Sequence, residues 1–173
     1  PSDWSTCPIY AKGVVMKDGK VAKGKSPYGE AIKPGAHWSP SRSALLIERE
    51  PENFKAFGVF TGVASGGLTI FDVDYNLGAI KKKWGKDLEN APTITSNKKN
   101  AAKYLFIVPE EDRLIVKGIS HVAADKEGFE VLWGRQGVLF GAYGGHEPTK
   151  TPEGIYKFEG DLNNIPVAPT WLL

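Results

Sequence analysis

Residues 57–74, FGVFTGVASGGLTIFDVD, constrain the fold more than any other stretch. Two apolar runs of strand length, FGVFTG and LTIFDVD, flank a VASGG turn, so the region reads as two strands joined tightly. The second run ends on two acids, Asp72 and Asp74, and turn residues follow at once. In a strand, residues i and i+2 share a face, so the two carboxylates project together, roughly 6–7 Å apart along the strand. Val73 points the other way, into the core, with Phe71 and Leu68 placed by the same alternation. Carboxylates so placed repel one another unless something cationic sits beside them. The pair is therefore the first place to look for a site.

The rest of the chain supports a sheet with a few helices. VVMKDGKVAKG (14–24) predicts a hairpin turning at Asp18-Gly19. SPSRSALLIEREPENF predicts a helix capped by Ser39 or Ser41 and limited by Pro51. YNLGAIKKKWGKDLENA predicts a second helix with Leu77, Ile80 and Trp84 on one side. TITS and KYLFIVP (103–109) form an expected strand pair. RLIVKGI (113–119), FEVLWGR (129–135) and GVLFGAY (137–143) read as three more strands. The tail from Gly144 is turn-rich, with a short strand at GIYKF. Residues 1–41 are rich in Lys, Gly, Pro and Ser, with Trp4 and Trp38 as anchors. The expected fold is one α/β or α+β domain around a mixed or antiparallel sheet, because several connections are too short for helical crossovers.

Composition narrows the function classes modestly. A chain of 173 residues suits one domain with a real core. The net charge of +2 is too small to argue for nucleic acid by itself. The cations are nonetheless grouped, in 17–33, 80–86 and 96–103, where a solvated face is the plainer reading. One cysteine, Cys7, excludes an internal disulfide and fits a reducing compartment. No apolar run approaches the roughly 20 residues of a membrane span, and PSDWSTCPIY does not read as a signal peptide. The chain begins with Pro rather than Met, which points to processing or to a piece of a longer protein.

Two acids on one face at a strand end make half a cage for Mg²⁺ or Mn²⁺, hard ions that take oxygen ligands and share them with substrate phosphates. A helix N-cap is the structural alternative for Asp74. Glu130, alternating with Phe129 and Val131, is the candidate third acid; an ordinary solvent-facing strand residue is its alternative. Three acids on neighbouring strands suit a two-metal site for phosphoryl displacement. The VASGG turn, with Ser65 and Gly66, offers backbone N–H groups with little side-chain bulk, or serves only as a turn that needs φ > 0. It is not a P-loop.

These residues carry a resemblance. FGVFTGVASGGLTIFDVD resembles the opening motif of the primase-polymerase (prim-pol) domain of the archaeo-eukaryotic primase superfamily. That domain is often the N-terminal part of replication proteins from phages, plasmids and mobile elements. GKSPY (24–28) resembles the family's early K-x-P segment. PTITSNKKNAAKYLFIVP (92–109) sits where the family has a threonine, a small-residue turn and a strand ending in F-x-x-P. FEVLWGRQGVLFGAYGGH and GIYKF resemble the closing acid strand, its loop histidine and a G-x-Y ending.

The resemblance implies that Asp72, Asp74 and Glu130 are catalytic metal ligands for two Mg²⁺ or Mn²⁺ ions. It places Lys103 where the family has a histidine that contacts the nucleotide triphosphate, which is a departure from the pattern. Ser96 stands as the small polar partner in that motif, Arg135 as a phosphate ligand and His146 as the loop histidine. The expected function is a template-dependent DNA primase or polymerase acting on DNA and (d)NTPs. Tyr75, Trp84, Trp133 and Tyr143 are core or edge packing, with base stacking as the other role open to them. The alternatives are a non-catalytic nucleotide- or DNA-binding module and a metal-dependent nuclease. The whole chain, 1–173, would form one catalytic domain, with 1–56 an N-terminal subregion and 57–173 the core. The resemblance further implies a cytoplasmic replication protein of bacterial, archaeal, phage or mobile-element origin, with a helicase domain in the full-length chain.

Overall fold

A computed structural model describes residues 1–116, 128–143 and 154–173. Its named strands are β1 (Thr6–Tyr10), β2 (Phe54–Phe60), β3 (Leu68–Val73), β4 (Thr93–Thr95), β5 (Ala102–Ile107), β6 (Phe129–Leu132), β7 (Gln136–Tyr143) and β8 (Gly154–Glu159). Two α-helices, α1 (Pro40–Arg49) and α2 (Leu77–Leu88), complete the α+β domain. The strands form one sheet in the order β1-β2-β7-β8-β4-β5-β3-β6. Every named pairing is antiparallel.

Two short connections curl this sheet. Strand β2 lies second from one edge and β3 second from the other, yet only residues 61–67 join them. Residues 133–135 alone carry the chain from the edge strand β6 to β7, near the far edge. The strands expected to be joined by the VASGG turn are therefore joined but not paired. They meet at one bridge, Gly62 with Leu68, and then diverge. Gly67 permits this turn: its φ is +90°, and a Cβ there would lie 2.5 Å from the Val108 carbonyl oxygen.

The curl separates two apolar clusters. Leu68, Ile70, Ile94, Leu105 and Leu132 face inward against Ile9, Val59 and Val138. Phe71, Val73, Tyr104, Phe106, Phe129 and Val131 face outward beneath Ile80 and Leu88 of α2. Leu68 thus shares the face of Asp72, not that of Val73: strand alternation groups 68, 70 and 72. The helix predictions hold. Ser39 caps α1, its hydroxyl accepting from Arg42 N at 3.3 Å, and Leu77 and Trp84 flank the buried Ile80 of α2.

Three expectations change. Strand β1 is not expected from the sequence of residues 1–41, where a five-residue TCPIY run with a central proline looks like a loop. Proline is tolerated there because β1 is an edge strand. Residues 113–116 are turn rather than strand. Arg113 fixes that turn, donating to the Val108 and Gly66 carbonyls, while Leu114 and Ile115 are exposed; residues 117–119 lie outside the described residues. The 14–24 segment does turn at Asp18-Gly19, with Asp18 Oδ1 accepting from Lys20 N, but it makes a single bridge between Val15 and Val21. Trp4 and Trp38 anchor the N-terminal residues as expected, buried in the inner cluster, and β1 pairs with β2.

Candidate functional site

On the inner face of β3 the sequence reads Leu68, Ile70, Asp72: two core residues and then an acid. Strand β5 reads Ile107, Leu105, Lys103, and β6 reads Leu132, Glu130. Register places Lys103, Asp72 and Glu130 directly opposite one another on three adjacent strands. Ile94 of β4 continues the same row. Opposed residues in an antiparallel pair point to one face. The charged row is therefore the rim of the apolar interior, and Asp74 stands just beyond it.

Each acid has a cation against it. Lys103 Nζ donates to Asp72 Oδ2 at 2.6 Å, and both side chains are at least 85% buried, with relative exposures of 10% and 15%. Lys98 Nζ donates to Asp74 Oδ1 at 2.8 Å in a more open position. Arg135 lies 3.7 Å from Glu130 Oε2 at the outer end of the row. Asp74 is not the cap of α2. That position is Asn76, in the left-handed region at φ 63°, without a side-chain capping bond.

The electrostatics are uneven. Burial alone would pull the Lys103 ammonium below the usual lysine value, but Asp72, Tyr156 and the bond to Asp72 outweigh it and hold it above. Burial pushes the Glu130 carboxyl above the ordinary glutamate range. The charges of Asp72 and Asp74 add to that rise, and Lys103 and Arg135 oppose it only in part. A raised carboxylate pKa means that ionised Glu130 destabilises the fold above its ordinary range, and that the penalty vanishes in acid where both states are protonated. Glu130→Gln is thus expected to raise the melting temperature of chelator-treated protein at neutral pH. Melts repeated near pH 4, about the ordinary glutamate pKa, should show the gain gone.

A small cleft of about 40 Å³ opens against this row. Asp72, Asp74, Ser96, Lys103, Lys25 and Tyr156 line it with neighbouring apolar atoms. Ser96 arrives because it follows β4 directly, and its hydroxyl accepts from Lys98 N at 3.2 Å, shaping the loop that carries Lys98. Comparison with protein-family models and with curated proteins finds no match to this chain.

The structure gathers Asp72, Asp74, Ser96 and Lys103 around one cleft, with Glu130 and Arg135 at its side. It does not bring Ser65 and Gly66 there. They lie past the Leu68 end of β3, which is itself roughly 13 Å from Asp72 at strand rise. The Ser65 hydroxyl is buried and accepts from Ser5 N, and the amides of Ser65, Gly66 and Gly67 bond within their own turn. His146 lies outside the described residues, as does the side chain of Tyr143. Trp84 stacks on Trp171 at 4.4 Å and belongs to the outer core, with Trp133 packed on the same cluster. Lys98, Lys25 and Tyr156 were not among the expected site residues. Lys98 had a signal, since its SNKKN run follows Ser96 directly; Tyr156 had only its place in GIYKF.

The residues fit a hard cation in donor chemistry. Asp72, Asp74 and Glu130 supply carboxylate oxygens on one face, and their mutual repulsion at Glu130 is what a divalent ion would relieve. Among the described residues no three His, Cys, Asp or Glu side chains converge into a ready cage. Ammonium groups stand against the aspartates instead. Any ion at Asp72 would have to share or displace Lys103. No helix among the described residues is long and apolar enough to cross a membrane.

Proposed function

We propose that this chain is a prim-pol-type catalytic domain that transfers a nucleotidyl group from a (d)NTP to a primer 3′-hydroxyl or an initiating nucleotide on a DNA template. The observation that carries the reading is the cross-strand row Lys103–Asp72–Glu130, with Asp74 beyond it and Ser96 and the cleft beside it. Acids alone would fit many hydrolases. Acids interleaved with ammonium groups at the rim of one cleft suit a substrate that brings both a metal and a polyphosphate.

In this reaction the primer O3′ loses its proton to water and forms a bond to the α-phosphorus, the bond from that phosphorus to the bridging oxygen breaks, and pyrophosphate leaves with the electron pair. Asp72 and Asp74, with Glu130 beside them, would hold Mg²⁺ or Mn²⁺. The bound ions would lower the hydroxyl pKa and neutralise the leaving pyrophosphate. Lys103 exchanges its contact with Asp72 for the phosphate chain, as a point charge able to follow it. Arg135 serves Glu130 and the phosphate side of the row. Basic segments 80–86 and 96–103 hold the backbone of template or primer in a salt-dependent way. A downstream helicase and a cytoplasmic replication setting belong to this same proposal.

A second reading has one observation behind it. The buried Lys103–Asp72 pair leaves Asp72 neutralised without metal, as a non-catalytic nucleotide- or DNA-binding module would be. Primer extension on a primed DNA template, with Mg²⁺ or Mn²⁺ and either ribo- or deoxyribonucleotides, separates the two. Extension that needs both metal and nucleotide is the expected result. Triphosphate binding without incorporation would favour the module, and strand cleavage without added nucleotide would reveal a nuclease.

A further inference from the structure

One lining residue of the cleft, Lys25, comes from an N-terminal segment to which the proposed reaction gives no role. Residues 25–28 lie along the free side of β1, where Tyr10 N donates to the Ser26 carbonyl and Tyr28 N to the Pro8 carbonyl, both at 2.9 Å. Pro27 bridges Ile9, and Gln136 Nε2 approaches the Lys25 carbonyl at 3.4 Å. The backbone of Lys25 is thus tied to β1 and to the start of β7. Its side chain is half-buried and lines the cleft with Asp72 and Lys103. Its Nζ lies 5.4 Å from the centre of the Tyr156 ring, and Lys103 Nζ lies 5.2 Å from the same centre.

Two ammonium groups on one aromatic ring repel each other. A tyrosine face offsets part of that repulsion through its quadrupole, and the aspartates offset more. By formal charge, Lys25, Lys98, Lys103 and Arg135 against Asp72, Asp74 and Glu130 give the cleft and its flanking row one positive charge in excess. A divalent ion bound by the same aspartates would leave a surplus of about three charges, which a polyphosphate meets and a neutral or singly charged ligand does not.

We infer that Lys25 is a ligand for the phosphate chain of the nucleotide, and that the buried ring of Tyr156 is the platform holding its ammonium over the cleft. The inference rests on the nucleotidyl-transfer reading of the site. It adds that the N-terminal segment supplies part of that site, so the first 56 residues are not an accessory. Lys25 contributes to binding rather than to the metal: an ammonium cannot ligate a cation, and its backbone is held by β1 and Gln136 rather than by the strand that carries the acids.

The test measures dATP binding by calorimetry in Mg²⁺, and Mn²⁺ binding without nucleotide by electron paramagnetic resonance. Lys25→Ala should weaken dATP binding by roughly tenfold or more, the usual worth of a charge-assisted contact. Lys25→Arg should keep the affinity within a few-fold. Tyr156→Phe, which retains the ring, should behave like the parent, and Tyr156→Leu should resemble Lys25→Ala. Mn²⁺ binding and the melting temperature of Lys25→Ala should be unchanged. A Lys25→Ala protein that binds dATP as tightly as the parent overturns the assignment while leaving the proposed reaction standing. A Lys25→Ala protein that loses Mn²⁺ binding or fold along with dATP also overturns it, by making the lysine structural. A parent that binds no dATP in Mg²⁺ removes the reaction and this inference together.

Discussion

Asp74→Ala is expected to keep the fold and lose metal-dependent extension. The rate should fall by roughly 10³-fold or more, since one missing ligand forfeits several kcal/mol of charge stabilisation at the reacting phosphate. The stability cost should be small, because the Lys98–Asp74 pair is partly exposed and such pairs contribute about 0–1 kcal/mol. Asp72→Ala would lose extension equally but would be a poor test. It leaves the Lys103 ammonium buried without its carboxylate, and breaking a buried pair costs about 3–5 kcal/mol. Loss of activity there could come from unfolding alone. The informative measurement is therefore primer extension by Asp74→Ala beside a thermal melt of the same preparation. A folded Asp74→Ala that extends primers at the parental rate would remove Asp74 from the metal site. A folded variant that is inactive yet still binds Mn²⁺ as the parent does would keep it out of metal binding and leave a role toward primer or template.

How much of this was legible in the sequence depends on how far apart the cause lay from the residue. The acids were legible because strand alternation is local and sets Asp72 and Asp74 on one face by spacing alone; the same rule puts Leu68 on that face, not with Val73 as expected. The strands β4 to β8 and both helices were legible for the same reason, through short apolar runs between turn residues and through the cap at Ser39. The cross-strand partners were not. Lys103 stands opposite Asp72 only because β5 pairs with β3 in one register, and a shift of one residue would turn it to the outer face. Sequence spacing carries no information on that register. Nor could it show that β2 and β3, joined by a short turn, pair with different neighbours, which is what moves Ser65 and Gly66 away from the acids. Strand β1 was hidden by Pro8. The outcome for the 113–116 segment has a different cause. Its apolar residues look like a strand, but the Arg113 guanidinium is held by two carbonyls of neighbouring turns, and that bond decides the local path.

Lys103→Met is expected to have the larger effect on stability. The long apolar stem of methionine can follow the path of the lysine, so packing changes little and the charge is what is removed. Asp72 then remains in a nearly buried position without its ammonium, at a cost of about 3 kcal/mol or more. Because the ammonium is held above the ordinary lysine value, Lys103 stays charged throughout the neutral range and its contribution is lost only as alkali titrates it. The destabilisation should therefore be the same at pH 6 and pH 8, which separates it from any effect of Glu130. The double variant Asp72→Leu, Lys103→Met should recover much of the loss, since an apolar pair of similar volume tolerates the site that a lone charge does not. Divalent metal supplies the decisive comparison. If Asp72 is a metal ligand, an added ion can take the place of the missing ammonium, and Mn²⁺ should raise the melting temperature of Lys103→Met more than that of the parent. On that reading the same ion would compete with Lys103 for Asp72 in the parent, and its stabilising effect should be smaller there unless a triphosphate is added. Equal Mn²⁺ shifts in the two proteins, with and without dATP, would mean that the lysine and the ion do not share Asp72. The row across β5, β3 and β6 would then be a structural ion pair rather than the seat of a charge exchange.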